Sequence, residues 1–185
     1  LSPSLWIVDP IDGTNNYAHG MPHYASSVAF AEGGEVVAGA IYDPERGELF
    51  SAYLGGGAYL NGVPISVSSV DSLSKALICT GFYYDRGEMM ERTLSAIRKL
   101  FNKHIHGVRR SGSAALDLCW TAAGRFDAFF EYELGAWDYA AGALILTEAG
   151  GVATGADGSS LTLSTRHIAA CTPGIQDELL QAIGP

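Results

Sequence analysis

The most informative stretch of the sequence reads Leu5-Trp6-Ile7-Val8-Asp9-Pro10-Ile11-Asp12-Gly13-Thr14. Its apolar beginning, residues 5–8, predicts a short buried strand that delivers carboxylates at its C-terminal end. The proline after Asp9 fixes its own φ and keeps the preceding residue extended, and Gly13 permits a tight turn directly afterwards. The stretch therefore predicts that the carboxylates of Asp9 and Asp12 converge beside a turn.

Such a pair of carboxylates suits a hard divalent cation. Mg²⁺ prefers oxygen ligands in an octahedron and often takes a few carboxylates together with water and substrate phosphate. The backbone N–H groups of Gly13 and Thr14 are placed to hold phosphate oxygens, as nests in turns do, and the Thr14 hydroxyl is placed to orient a water. Asp-x-x-Asp-Gly is also an ordinary turn, so the motif gains its meaning only from a second acidic segment.

The second acidic segment is Trp137-Asp138-Tyr139-Ala140-Ala141-Gly142. It predicts a helix that Asp138 caps and that ends at Gly150-Gly151. The small residues of this helix allow close approach to another backbone. A capping carboxylate can still offer one oxygen to a cation. Glu131 ends a Phe-rich strand predicted over residues 125–131, and it is either a surface carboxylate or the edge of a cleft.

The rest of the chain predicts a layered α/β protein with a mixed sheet, because a meander is followed by alternating strands and helices. The strands of the meander are predicted over residues 24–31, 35–42 and 48–54. Later strands are predicted over residues 76–80 and 167–171, and helices over 90–101, 113–124 and 175–183. No linker interrupts the pattern, so residues 1–185 are interpreted as a single domain.

Composition excludes several classes of protein. The formal net charge is −9, which argues against nucleic-acid binding, and apolar residues make up 48% of the chain, too many for a disordered protein. The three cysteines are predicted to be buried thiols in a reducing compartment: Cys79, Cys119 and Cys171. Neither a transmembrane run nor a signal peptide at residues 1–4 is predicted, so a cytoplasmic protein without membrane contact is expected.

The two acidic segments, with Arg110-Ser111-Gly112-Ser113-Ala114-Ala115 between them, resemble the signatures of the inositol monophosphatase family. The resemblance covers essentially the whole chain. It implies a layered αβαβα sandwich, usually a homodimer, and Mg²⁺-dependent hydrolysis of a small phosphate monoester by a metal-activated water. Inositol 1-phosphate is the substrate that it implies first.

The resemblance also implies a role for each matching residue. The implied metal ligands are Asp9, the Ile11 carbonyl, Asp12 and Asp138. Gly13 and Thr14 would bind phosphate, with Thr14 aligning the attacking water, and Asp138 or a water on its metal would assist protonation of the leaving alkoxide. The implied substrate-binding residues are completed by Asp12, Gly112, Ser113, Ala114, Glu131 and Asp138.

The sequence departs from the family at its start. Family members carry an N-terminal helical part with a Gly-Glu-Glu-like stretch, whose Glu binds metal and activates the nucleophilic water. Only eight residues precede Asp9, and none of them is acidic. The chain is therefore interpreted as lacking the N-terminal helical part of the sandwich, and by itself it is expected to be inactive.

Within this resemblance other functions remain open. Histidinol phosphate, 3′-phosphoadenosine phosphate and fructose 1,6-bisphosphate are alternative substrates, and Arg109 and Arg110 would then hold a second phosphate or simply form a solvated turn. A non-catalytic module that binds the transcription machinery is the alternative from another class. The histidines at positions 19, 23, 104 and 106 are predicted to be loop residues rather than ligands, and Trp6, Trp120 and Trp137 are predicted to lie in the core.

Overall fold

The chain begins with the edge strand of an antiparallel sheet in the computed structural model, which describes residues 3–84 and 86–184. Residues 1 and 2, part of the segment tested above for a signal peptide, lie outside this description. Six strands pair in chain order to form this first sheet: β1 (Ser4–Asp12), β2 (Ala25–Glu32), β3 (Glu35–Asp43), β4 (Glu48–Tyr53), β5 (Ala58–Leu60) and β6 (Val63–Pro64). The predicted meander is confirmed, and β1 extends to Asp12 because a bulge between Asp9 and Asp12 lets pairing with β2 resume.

The second sheet is mixed, as the sequence predicts. Its strands are β7 (Leu77–Thr80), β8 (Gly107–Arg109), β9 (Ala128–Glu131), β10 (Val152–Gly155) and β11 (Ile168–Cys171), in the order β10-β11-β9-β7-β8. β7 runs parallel to both β8 and β9, whereas β11 is antiparallel to both of its neighbours. The carboxyl ends of β7 and β9 therefore meet at one edge of the sheet, where Glu131 lies.

Among the described residues, five α-helices complete the layers: α1 (Thr14–Ala18), α2 (Glu88–Phe101), α3 (Ala114–Ala122), α4 (Ala136–Glu148) and α5 (Gln176–Ile183). α3 and α4 pack against each other between the two sheets, and most of their residues are buried. α2 and α5 cover the far face of the second sheet. The order of layers is β-α-β-α, which confirms the predicted sandwich without its first helical layer.

The outer face of the first sheet is open to solvent and carries apolar side chains. Trp6 is 66% exposed on this face and stacks on Phe30, with ring centroids 4.8 Å apart. Val8, Tyr42 and Tyr53 are also exposed. The prediction that Trp6 lies in the core is wrong for this chain, since β1 turns that side chain away from α3 and α4.

The start of α4 differs from the prediction. Gly135 is the N-cap and Asp138 is the third residue of the helix, where its Oδ2 accepts a hydrogen bond of 2.7 Å from the Gly135 N–H. A carboxylate at this position satisfies the N-cap amide from within the helix, as in a capping box. Asp138 is therefore held at the helix start by a different contact from the one predicted.

The three cysteines are buried and unpaired, as predicted. Burial raises the pKa of the Cys79 thiol and of the Cys171 thiol, the latter to about 12. They are therefore inert core residues at neutral pH. Within the described ranges, no helix combines the length and the apolar character needed to cross a membrane.

Gly39 on β3 fixes how closely α4 approaches the first sheet. A Cβ at this position would lie 3.0 Å from the Ala141 Cα and 3.1 Å from the Ala141 carbonyl oxygen. Gly39→Ala is expected to lower the free energy of unfolding by about 1–3 kcal/mol, because the added methyl meets backbone rather than a movable side chain. Urea denaturation measures this, and Ala38→Val on the opposite face of the same strand is the control. Equal losses in the two variants would contradict the close-approach argument.

Candidate active site

The bulge at the end of β1 turns two carboxylates toward the interior. Asp9 Oδ1 accepts a hydrogen bond of 3.0 Å from the Ile11 N–H. Asp12 is only 7% exposed, and its Oδ2 accepts hydrogen bonds from the Ser113 hydroxyl at 2.5 Å and from the Ala115 N–H at 2.8 Å. The start of α3 therefore orients Asp12, while a local turn orients Asp9.

The third carboxylate arrives from α4. Carboxylate oxygens of Asp9, Asp12 and Asp138 all lie within 4.8 Å of one another. In the part of the chain that the structure describes, this is the one group of three or more His, Cys, Asp or Glu side chains placed to hold a metal ion. His19, His23, His104 and His106 lie outside this group, in loops, as predicted.

The electrostatics of these carboxylates call for a cation. The pKa of Asp12 is raised to about 7, chiefly by burial and also by the neighbouring Asp138 and Asp9, despite the hydrogen bonds from Ser113 and Ala115. Burial also raises the pKa of Asp9 and of Asp138. Three crowded oxygen ligands, with their charged forms disfavoured by desolvation and by one another, fit a hard divalent cation.

The turn after Asp12 carries the predicted phosphate-binding residues. Gly13 has φ of +88°, in the left-handed region that favours glycine. Thr14 begins α1, and its hydroxyl donates a hydrogen bond of 2.8 Å to the Ile11 carbonyl oxygen. The turn thus presents its backbone beside the acidic cluster, and the Ile11 carbonyl lies next to the Thr14 hydroxyl.

A pocket of about 460 Å³ opens over the cluster. Most of the predicted site residues line it: Asp9, Ile11, Asp12, Gly13, Thr14, Gly112, Ala114, Glu131 and Asp138. Ser113 is buried beneath the pocket, where it caps α3 and holds Asp12. Nine of the ten predicted site residues thus line one pocket, and the tenth, Ser113, lies beneath it.

Glu131 closes the inner end of the pocket at the end of β9. Its carboxylate packs over Gly81, where a Cβ would lie 1.9 Å from Glu131 Oε2. The pKa of Glu131 is raised to about 8, chiefly by burial and also by the carboxylates of Asp117, Asp12 and Asp138, although Arg110 opposes the shift. Glu131 is therefore a cleft residue, and the surface alternative is excluded.

Apart from Arg110, which was considered above as a possible ligand of a second phosphate, the rim of this pocket was not predicted from the sequence. Its aromatic members are Phe82, Tyr83, Tyr84 and Trp137, and its charged members are Arg110, Glu133 and Arg166. Trp137 is 53% exposed here, so its predicted core placement is wrong. Arg166 forms an ion pair of 3.3 Å with Glu133, while Arg110 lies over Gly112. A run of three aromatic residues directly after a buried strand was the available signal for the rim.

The chain is similar in sequence to known proteins. The profile of the inositol monophosphatase family matches residues 2–184. The chain is 44% identical over 179 residues to inositol-1-monophosphatase of Rhizobium meliloti (strain 1021), which covers 96% of this chain and 66% of that protein. It is 45% identical over 178 residues to the putative Nus factor SuhB of Neisseria meningitidis serogroup B (strain ATCC BAA-335 / MC58), with 96% and 68% covered.

A solved structure agrees with both. The chain superposes with a TM-score of 0.94 on inositol monophosphatase from Anabaena (Nostoc) sp. PCC 7120, at 43% identity, over 98% of this chain and 72% of that one. The chain spans about two thirds of the length of the curated relatives it matches, 66% of one and 68% of the other described above. With the family profile, the fold and the acidic cluster in agreement, this chain belongs to the inositol monophosphatase family.

Proposed function

We propose that the complete protein hydrolyses a small phosphate monoester in a Mg²⁺-dependent reaction, and that inositol 1-phosphate is its substrate. One observation carries the proposal. Three carboxylates from two distant segments converge within 4.8 Å, beside a glycine turn that lines the same pocket. Phosphate transfer to water is among the slowest uncatalysed reactions, and it needs dense positive charge around the phosphate.

Asp9, Asp12, Asp138 and the Ile11 carbonyl would hold the cations. Bound there, Mg²⁺ would supply the positive charge that offsets the phosphate, lowers the pKa of a water and stabilises the leaving oxygen. The chain's own residues set the geometry around this centre. Ser113 and the Ala115 N–H keep one oxygen of Asp12 occupied, so that its other oxygen is left to face the cluster.

Phosphate and leaving group have separate places in this proposal. Backbone N–H groups of the Gly13 turn bind phosphate oxygens, and the Thr14 hydroxyl, held by the Ile11 carbonyl at 2.8 Å, orients the attacking water. Asp138 lies where the leaving alkoxide receives its proton. Glu131, at the inner end of the pocket, accepts hydrogen bonds from substrate hydroxyls. These roles are the ones that the family resemblance implies, and all four residues line the pocket.

The proposal is tested with the complete protein and a panel of substrates. We expect inositol 1-phosphate to give the highest kcat/KM, ahead of histidinol phosphate, 3′-phosphoadenosine phosphate and fructose 1,6-bisphosphate. Chelation by EDTA should abolish turnover, and Mg²⁺ should restore it. Preference for a bisphosphate would instead favour a second phosphate site at Arg110, which lies on the pocket rim.

Glu131→Ala is expected to raise the KM for inositol 1-phosphate about 10-fold, because one or two hydrogen bonds to substrate hydroxyls are lost. Phenyl phosphate has no hydroxyl on its leaving group and should react with unchanged KM. Steady-state kinetics on both substrates measure the difference, and phenyl phosphate serves as the internal control. Equal losses on the two substrates would show that Glu131 supports the fold of the site instead.

A second candidate function is a non-catalytic module that binds the transcription machinery. The 45% identity to a protein named as a putative Nus factor favours it, while the intact cluster of three carboxylates favours hydrolysis. Absence of Mg²⁺-dependent turnover on every phosphate monoester tested would support the module. We further propose a cytoplasmic homodimer without nucleic-acid or membrane contact, which sedimentation of the purified complete protein tests for oligomeric state.

A further inference from the structure

Asn16, in the short helix α1, has an unusual position for an amide side chain. It is only 7% exposed. Its Nδ2 group donates two hydrogen bonds, one of 2.7 Å to the His23 carbonyl oxygen and one of 2.9 Å to the Ser111 carbonyl oxygen. The two N–H groups of one amide thus donate to two separate loops, which are far apart in the sequence.

The same two loops enclose Gly13. A Cβ built on Gly13 would lie 3.1 Å from the His23 carbonyl oxygen and 3.2 Å from the Gly112 carbonyl oxygen. The turn is therefore wedged between the segments that Asn16 ties together. Any displacement of either segment relative to α1 moves the backbone of Gly13, because that backbone contacts both.

The loop that contains Ser111 continues directly into the residues that orient Asp12. Two positions later the Ser113 hydroxyl donates to Asp12 Oδ2 at 2.5 Å, and the Ala115 N–H donates to the same oxygen at 2.8 Å. Asn16 therefore links the phosphate-binding turn to the support of a carboxylate in the acidic cluster. A buried amide with only a packing role would not need to join these particular segments.

We propose that Asn16 is a positioning residue for the hydrolysis proposed above: it fixes the Gly13–Thr14 turn relative to the carboxylate of Asp12. The inference rests on that proposed function and deepens it. Asn16 lies behind the pocket wall and acts through the backbone of its neighbours. Misplacing a binding group by about 1 Å can lower a rate about 10²-fold, so the effect of losing this link should be large.

The test compares Asn16→Ala with a matched control in the complete protein. Asn61 offers the control, because its amide also makes two hydrogen bonds to the backbone of a segment distant in the sequence, accepting from the Leu49 N–H at 2.8 Å and donating to the Gly47 carbonyl oxygen at 3.1 Å. Asn61→Gly removes both bonds while tolerating the φ of +49° at this position. Both variants should unfold at lower temperature than the parent.

The two variants should differ in function. At 10 °C, with folding checked by circular dichroism, Asn16→Ala should bind inorganic phosphate in the presence of Mg²⁺ about 10-fold more weakly by calorimetry, and its kcat/KM should fall about 10²-fold. Asn61→Gly should match the parent in both measurements. Asn16→Ser, which keeps one donor, should fall between them and serves if the alanine variant does not fold.

Two other results have distinct meanings. Folded Asn16 variants with parental phosphate affinity and kcat/KM would overturn the positioning role and leave the proposed function intact. A parent protein that neither binds inorganic phosphate nor turns over any monoester would overturn the proposed function itself, and the positioning role with it.

Discussion

Replacing Asp138 by asparagine is expected to lower kcat/KM of the complete protein by at least about 10³-fold while changing its thermal stability little. The substitution removes one of three negative charges whose oxygens lie within 4.8 Å of one another. A factor of 10³ corresponds to about 4 kcal/mol of transition-state stabilisation, which is within the several kcal/mol that metal-ion catalysis contributes. It also removes the group proposed to assist protonation of the leaving alkoxide.

The fold should tolerate this change because the asparagine carbonyl oxygen can replace Asp138 Oδ2. That oxygen accepts the hydrogen bond of 2.7 Å from the Gly135 N–H at the start of α4. Removing a charge from a crowded acidic cluster also relieves repulsion, since Asp9 raises the pKa of Asp138 in the folded protein. Loss of activity without loss of stability is therefore the expected signature of a functional carboxylate.

Kinetics over a range of Mg²⁺ concentrations and thermal melts with and without EDTA measure both effects. Asp157→Asn is the matched control, because Asp157 Oδ1 accepts a similar local hydrogen bond of 2.9 Å from the Ser159 N–H and lies outside the pocket. It should retain parental kcat/KM. An Asp138→Asn variant that stays within about 10-fold of the parent at saturating Mg²⁺ would contradict the role of the cluster.

The acidic cluster and the layers could be predicted from sequence because their signals are local. A strand followed by two acids and a glycine is visible within Trp6 to Thr14, and alternating strand patterns separated by turns give the meander. The family resemblance then brought Asp138 to the same place. The oxygen positions agree with this expectation, since the three carboxylates do converge.

The supports of the site could not be predicted, because they join residues that are distant in sequence. The contacts of Ser113 with Asp12 and of Asn16 with Ser111 depend on the way the two sheets pack on α3 and α4. No periodicity or spacing encodes such a contact. The exposure of a side chain could not be predicted either. Trp137 is a large aromatic residue of the kind expected in a core, but it lies on the pocket rim.

The cap of α4 was mispredicted for a local reason. Glycine and aspartate both occur at N-caps, and an acid at the third helical position gives the same short pattern as an acid at the cap itself. Only the backbone angles of Gly135, φ of −87° with ψ of 161°, place it outside the helix. The functional position of Asp138 survives because both arrangements keep it at the helix start.

The metal-free protein is expected to lose stability as the pH rises from about 5 to about 8, and Mg²⁺ is expected to reverse the part of this loss that comes from the aspartate cluster. Burial raises the pKa of Asp12 from 3.8 to about 7 and that of Glu131 from 4.5 to about 8. At a pH between the pKa of a group in the unfolded chain and its higher pKa in the folded protein, the folded protein keeps a proton that the unfolded chain has released. Stability from these groups is therefore full below about pH 4 and declines until the pH exceeds the folded pKa.

The size of this decline follows from the shifts. One pKa unit corresponds to 1.36 kcal/mol, so Asp12 alone can cost up to about 4 kcal/mol across the whole window. Mg²⁺ binds the deprotonated carboxylates and therefore stabilises the folded state more at pH 8 than at pH 5. Glu131 lies apart from the cluster of three aspartates, so its share of the decline should persist when Mg²⁺ is bound.

Urea denaturation at pH 5, 6, 7 and 8, with EDTA or with Mg²⁺, measures the free energy of unfolding in each condition. Asp12→Asn should flatten the metal-free decline below about pH 7, because its amide can still meet Ser113 and Ala115 without titrating. Glu131→Gln should flatten the part nearer pH 8, which separates the two groups. A metal-free profile that stays level from pH 5 to 8, or one that Asp12→Asn leaves unchanged, would show that Asp12 is not held in its protonated form. In that case the ionised carboxylate of Asp12 would be stabilised beside Asp9 and Asp138 by the hydrogen bonds from the start of α3 alone.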